Sequence, residues 1–223
     1  MKAAVDRLHL GCGLHAPAGW LNVDGSWQVV LARHRWLKNL LVSLGLLPRA
    51  QAEIPWSSNV LRLNLCRPLP FANATFGAIY SSHTLEHLYH NDALALLKEC
   101  HRLLTPGGIC RAVVPDLESI VNQYLLAKRL DNPDAATRLM ETILVHDKSR
   151  KRGVHGFYQR LTAFHQHKWM YDTASLLRLF EAAGFEQVDR AECLVSRIVH
   201  IDEVEDPKRI LDGQGIVVEG VKA

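Results

Sequence analysis

"RLHLGCGLHAPAGWLNVDGSW", residues 7–27, holds two short apolar runs, Leu8–Leu10 and Leu21–Val23. Gly11 and Gly13 flank Cys12 directly after the first run, and Asp24 closes the second. The pattern reads as strand, glycine turn, strand. Ligands of open α/β sheets sit at C-terminal strand ends, where glycine lets the backbone approach closely or take positive φ. Gly11-x-Gly13-x-x-Ala16 matches the loose dinucleotide pattern. A pyrophosphate site, however, needs its loop to open a helix. Only six residues separate Gly13 from Trp20, Pro17 and Gly19 among them, so no full helix fits. Asp24 follows Gly13 by eleven residues, not the roughly twenty of a dinucleotide site. Taken alone, the stretch is a bare turn or a cradle for a cofactor without a helix-bound pyrophosphate.

The rest of the chain shows what surrounds this turn. Its 223 residues suffice for one well-packed domain. The net charge of +3 is too small to imply nucleic acid. Five cysteines, an odd number with no C-x-x-C pair, argue for reduced and mostly buried thiols and against a disulfide framework or zinc ribbon. Met1 to Leu10 carries Asp6 and Arg7 and no apolar signal core, so the expected compartment is the cytoplasm.

Short β-like runs alternate with helical ones. After the two above come Val60–Leu65, Phe76–Tyr80 ending at Ser81-Ser82, and Ile109–Val114. Ala93, Leu96, Leu97, Cys100, Leu103 and Leu104 form one helical stripe, with Asn91 or Asp92 as expected cap and Pro106-Gly107-Gly108 as stop. "YDTASLLRLFEAAGF", residues 171–185, reads as a helix capped by Asp172 or Thr173 and ended by Gly184. Phe185–Val188 and Gly215–Val221 follow with no strong helix between them, as an antiparallel edge would require. The expected fold is an α/β sandwich, a mostly parallel sheet with an antiparallel final edge and helices on both faces.

"LHLGCG", "WLNVD", "LNLCRPLPFANATFGAIYSSHTLEHL" and "LLKECHRLLTPGGICRAVVPDLE", in that order, resemble the class I S-adenosylmethionine-dependent methyltransferases, type 11-like group. "HKWMYDTASLLRLFEAAGF" is also similar to that group. The resemblance implies that this α/β sandwich is Rossmann-like, with S-adenosyl-L-methionine as cofactor and methyl transfer as the reaction. It implies that Gly11, Cys12 and Gly13 lie under the methionine and ribose, and that Asp24 takes the two ribose hydroxyls. It implies that Asn64 and Leu65 meet the adenine, with asparagine where the family often has aspartate. Ser82 and His83 become the wall near the sulfonium and acceptor, with His83 also the candidate base. The missing first helix departs from the family and bears on where Asp24 stands, since a parallel crossover usually needs about a dozen residues. No metal is expected on this reading.

Two other classes stay open. His83-Thr84-Leu85-Glu86-His87 is an H-x-x-E-H string. On a helix, His83 and His87 would share a zinc ion with Glu86 as base of a hydrolase. A non-catalytic cofactor-binding protein is the other. His165-x-His167 is a possible metal pair, and Tyr158, Phe164, Trp169 and Tyr171, near His155, are candidates to shape an acceptor pocket. Lys148, Arg150, Lys151 and Arg152 suit an anionic acceptor, a phosphorylated saccharide or lipid precursor, ahead of nucleic acid.

The domain reading is one unit, 1–223, with a helical insert at about 27–56 and an acceptor-side insert at about 118–168. Val30, Leu37, Leu40, Leu41, Leu44 and Leu47 share one helical face. Residues 27–47 are therefore expected to pack on the sheet, with a lid or a peripheral membrane contact as alternatives.

Overall fold

The computed structural model describes residues 6–144, 166–210 and 215–223. Along these run β1 (Arg7–Leu10), β2 (Leu21–Asp24), α1 (Gln28–Arg33), α2 (Arg35–Ser43), α3 (Arg49–Ala52), β3 (Val60–Arg62), β4 (Phe76–Ser82) and α4 (His90–Leu103). Then come β5 (Leu104–Pro115), α5 (Leu117–Arg129), α6 (Ala135–Thr142), α7 (Thr173–Ala182), β6 (Glu186–Ala191) and β7 (Gly215–Val221). Short 3-10 turns stand at Leu85–His87, Ile201–Glu203 and Pro207–Arg209.

The strands form one sheet in the order β3-β2-β1-β4-β5-β7-β6. The first five are parallel. The last, β7, runs antiparallel and slots between β5 and β6. Strand order reverses between β1 and β4, so the loops after these two strands open a crevice at their C-terminal ends. The Rossmann-like fold class read from the sequence is the fold observed.

Strand alternation divides the core between the two faces of the sheet. Leu8, Leu10, Ile79, Ala112, Val114, Ile216 and Val218 pack with the buried sides of α4 and α7. Ala78, Tyr80, Val113 and Val217 point the other way, onto Trp20, Ile198, Ile201, Val204 and Ile210. No α-helix follows β1, and Trp20 with the turns of residues 198–210 covers that face. The short crossover is held by Asn22, whose amide donates to the carbonyls of Pro17 and Trp20, each at 2.9 Å. This leaves Asn22 Oδ1 as acceptor for His9 Nδ1 at 3.3 Å. Burial pushes the His9 imidazole down to about 3, so it is neutral.

The helix ends show where local reading succeeds. Asp172 caps α7 through a capping box with Ser175, and Gly184 ends it at φ +99. The Ser175 hydrogen bonds hold the Asp172 carboxyl below its ordinary value. The predicted α4 stripe is buried from Ala93 to Leu103. Its expected cap is not used. The helix starts at His90, with Tyr89 extended before it, so Asn91 and Asp92 fall in the first turn. There the Asp92 charge meets the helix N-terminus favourably. Leu104 is already extended, and β5 runs through Pro106-Gly107-Gly108. The third strand stops at Arg62, short of Leu65.

Residues 27–47 do not form one packed helix. His34, at φ −117 and ψ 74, leaves the helical region and separates α1 from α2. The break changes the phase of the apolar stripe, and α2 buries none of its residues. Val29 and Leu47 anchor the segment, Val29 in a small cluster with Cys12 and Val60. All five cysteines are free, with Cys12, Cys100 and Cys110 buried and Cys66 exposed. Among the described residues, no helix is long and apolar enough to cross a membrane.

Candidate active site

The glycine loop leaves β1 at the crevice. Gly11 has φ +66, and a Cβ there would fall inside the Thr84 side chain, 2.9 Å from its Cγ2. Gly13 has φ +55, and a Cβ there would meet nothing within 4 Å among the described residues. Gly11 is thus glycine for packing, while the face of Gly13 opens onto free space that a ligand can fill.

Asp24 stands directly beside this loop despite the short crossover. Its Oδ2 accepts from Gly13 N–H at 2.9 Å and its Oδ1 from Ser26 N–H at 2.7 Å. Each carboxylate oxygen retains a second lone pair. Cys12, between the glycines, is buried with its side chain packed near Val29 and Val60. Burial, aided by Asp24, pushes its thiol up to about 12, so it offers backbone and no thiolate.

The segment after β3 is drawn alongside β2 by Leu63 N–H donating to the Asp24 carbonyl at 3.1 Å. Asn64 is exposed, and its Oδ1 accepts from Cys66 N–H at 3.0 Å. The Asn64 amide N–H₂ makes no protein hydrogen bond among the described residues. The Leu65 side chain, which the resemblance implied would meet the adenine, belongs to the main core. Ser82 ends β4, buried, with its Oγ unpartnered among the described residues. His83 follows at φ +50. Its Nε2 lies 3.3 Å from the Arg209 carbonyl and its Nδ1 lies 3.2 Å from Glu86 Oε1.

The H-x-x-E-H string is not helical in the way a zinc hydrolase needs. Leu85–His87 is a single 3-10 turn, so His83 and His87 do not share an α-helical face. The potential ligand atoms grouped within 4.8 Å of one another are those of Glu86, His87 and His167. His83 stands outside that group. The His87 and His167 rings meet edge to face, centroids 4.9 Å apart. Burial holds the His167 imidazole below its ordinary value, outweighing the pull of Glu86.

On the acceptor side, Lys148, Arg150, Lys151, Arg152, His155, Tyr158, Phe164 and His165 lie outside the described residues. Tyr171 is fully buried and belongs to the main core, a correction to its reading as pocket lining. Its phenol is pushed up by burial and, secondarily, by Glu86. Trp169 is half exposed over the His90 ring. Sequence reading missed Arg209 beside His83 and Thr84 beneath Gly11. Arg209 is 126 residues from His83, and no local pattern marks such a contact.

Residues 8–112 match a family model described as a methyltransferase domain. The uncharacterized protein YBR225W of Saccharomyces cerevisiae is 30% identical over 141 residues. That match covers 62% of this chain and spans only 15% of the relative's own length. Among solved structures, a possible histamine N-methyltransferase of Thermotoga maritima is 17% identical with a TM-score of 0.48, over 97% of this chain and 82% of that one. An S-adenosylmethionine-dependent methyltransferase of Mesorhizobium loti is 17% identical with a TM-score of 0.47, over 96% and 89%. Residues 8–112, a little under half of the chain, are thus similar to a methyltransferase domain, and they lie in the sheet whose strand order is described above.

Proposed function

We propose that the chain moves the methyl group of S-adenosylmethionine to an acceptor held on the His83 side of the crevice. The observation that carries this reading is the Asp24 carboxylate, fixed by two backbone N–H groups beside the open face of Gly13. There it can accept both ribose hydroxyls in charge-assisted hydrogen bonds. Gly11, Cys12 and Gly13 supply the backbone floor, the Asn64 amide suits the adenine edge, and Ser82 and His83 form the wall. The same reading takes 1–223 as one domain whose acceptor side is built around 118–168. The five free thiols suit a reducing compartment such as the cytoplasm.

Bound there, S-adenosylmethionine would supply an activated methyl carbon and, as its leaving group, a neutral thioether. Alignment of the two reactants can supply about 7–11 kcal/mol of the barrier in the best cases. A hydroxyl acceptor also loses a proton, and His83 is the proposed base.

Calorimetry with S-adenosylhomocysteine separates these roles. Asp24→Ala is expected to weaken binding by roughly 1.5–3 kcal/mol, about 10- to 150-fold. His83→Ala should leave that affinity nearly intact and slow transfer to a hydroxyl acceptor by about 10²-fold or more. An unchanged dissociation constant in Asp24→Ala would overturn the ribose assignment.

The acceptor class we infer is a small molecule or saccharide precursor carried on a lipid. The support is α2, where Trp36, Leu40 and Leu44 stand exposed. Arg33, Arg35 and Lys38 flank them, with no acidic residue between Gly25 and Ala52. Such a surface suits an anionic bilayer. Flotation with phosphatidylcholine vesicles containing phosphatidylglycerol should retain the chain, less so at high salt. Equal partition onto pure phosphatidylcholine, or none onto either, would remove the membrane contact.

A further inference from the structure

Glu86 is fully buried, and among the described residues neither of its carboxylate oxygens has a hydrogen-bond partner. The approach of His83 Nδ1 to Oε1, at 3.2 Å, lacks hydrogen-bond alignment. A buried carboxylate in this state is unstable unless something positive or hydrogen-donating meets it.

The two imidazoles facing Glu86 do not supply that donor. His87 Nδ1 lies 3.2 Å from the Gln166 carbonyl. A carbonyl only accepts, so Nδ1 carries the hydrogen and Nε2 the lone pair. The Ile143 carbonyl faces the His167 ring and favours a hydrogen on the nitrogen toward it, while Nδ1 is buried with no partner among the described residues. The ring nitrogen that carries the hydrogen is therefore the one at the carbonyl, and Nδ1 is a second lone pair. One carboxylate and two imidazole lone pairs converge, each histidine held in its tautomer by a backbone carbonyl. Histidines that ligate metals are oriented in this way. Moving one proton into the group would satisfy one pair and strand the third acceptor.

We propose that Glu86, His87 and His167 hold a divalent first-row transition-metal ion of the zinc class, a site outside the methyl-transfer reading and independent of it. Two histidines and one carboxylate suit such an ion and leave a fourth position open. The donor atoms lie within 4.8 Å of one another, and a tetrahedral zinc shell with bonds of about 2.0–2.2 Å sets them about 3.3 Å apart. Small side-chain rotations close that difference. The backbone already joins the parts, because Lys168 N–H and Trp169 N–H donate to the Glu86 carbonyl at 2.7 and 3.2 Å, and His167 N–H donates to Leu144. The ion would pin the turn after β4 to the segment that leads into α7. This departs from the sequence expectation of no metal and replaces the hydrolase set by one that omits His83.

The test uses the full chain stripped with chelator and titrated with zinc chloride, then separately with cobalt chloride. One equivalent of zinc is expected, with a visible cobalt spectrum of nitrogen and oxygen ligation. His87→Ala and His167→Ala should each weaken zinc binding by about 100-fold or more, with circular dichroism confirming the fold. No zinc uptake by the wild type overturns the site. So does an unchanged affinity in His167→Ala, which would assign the ion to other histidines. A thiolate-to-cobalt charge-transfer band would likewise overturn it, and the wild-type spectrum decides the matter even if a variant does not fold.

Discussion

Arg111→Met is expected to lower the unfolding free energy by about 3–5 kcal/mol, read from urea denaturation followed by circular dichroism. Arg111 sits on β5 with no solvent exposure, and all five of its N–H donors are used. Nε and Nη2 reach Glu205 at 2.7 and 2.6 Å, and Nη1 reaches Glu219 at 2.9 Å. The carbonyls of Val195 and Glu192 take the remaining two, at 3.0 and 2.9 Å. Burial alone would push the guanidinium down, yet the two carboxylates more than offset it and hold it above its ordinary value. Methionine fills similar volume but strands two buried carboxylates without a counter-charge. Arg111→Lys should recover little, because a point charge with three donors cannot reproduce the fork. Replacing all three charged residues by apolar ones should return most of the loss, since the penalty lies in the orphaned charges. A loss under about 1 kcal/mol in Arg111→Met would show that the triad contributes nothing.

Gly11→Ala should be nearly as disruptive, by roughly 2–5 kcal/mol, for two separable reasons. Positive φ costs a Cβ-bearing residue about 1–2 kcal/mol. The new methyl would also overlap Thr84, which is overpacking of the kind that costs about 1–3 kcal/mol. Pairing it with Thr84→Ala should return the overlap part and leave the backbone part. Gly13→Ala is the contrast. It shares the positive φ but meets no neighbour, so its stability loss should stay near the backbone part alone. Its methyl would stand in the space assigned to the cofactor, so S-adenosylhomocysteine affinity should fall while the fold persists. Equal melting temperatures for Gly11→Ala and wild type would refute the packing role of Gly11.

What could be read from sequence was what is decided locally. The strands after which the crevice opens, the α4 stripe and the Asp172 cap depend on residues within a few positions of each other. The glycine loop and Asp24 were legible for the same reason, since β1 and β2 pair in register and bring Gly13 to Asp24. The break at His34 carries no proline or glycine to announce it, and only tertiary placement of Val29 and Leu47 fixes it. Leu65 reads as part of a cofactor pair, yet the end of β3 at Arg62 turns its side chain into the core. The Arg111 triad joins residues 94 and 108 positions apart, and His87 meets the segment of His167 across a similar span. Charges at such separations look solvated in sequence because nothing nearby shows what they face.

The closure of the second sheet face by residues 198–210 also fixes an order of events during synthesis. Arg7 meets Glu203 at 3.0 Å, and its other contact, the Val199 carbonyl, is 192 residues away. Trp20, Tyr80 and Val113 therefore have no cover until residues 198–210 have left the ribosome. The segment that carries the family match, residues 8–112, cannot complete its core as it emerges. Contacts this remote make folding slow, and the nascent chain carries a bare apolar face meanwhile, the kind of surface that chaperones shield. A chain stopped before residue 198 would keep the glycine loop and Asp24 in its sequence yet lack the lid of side chains that lets the sheet beneath them set.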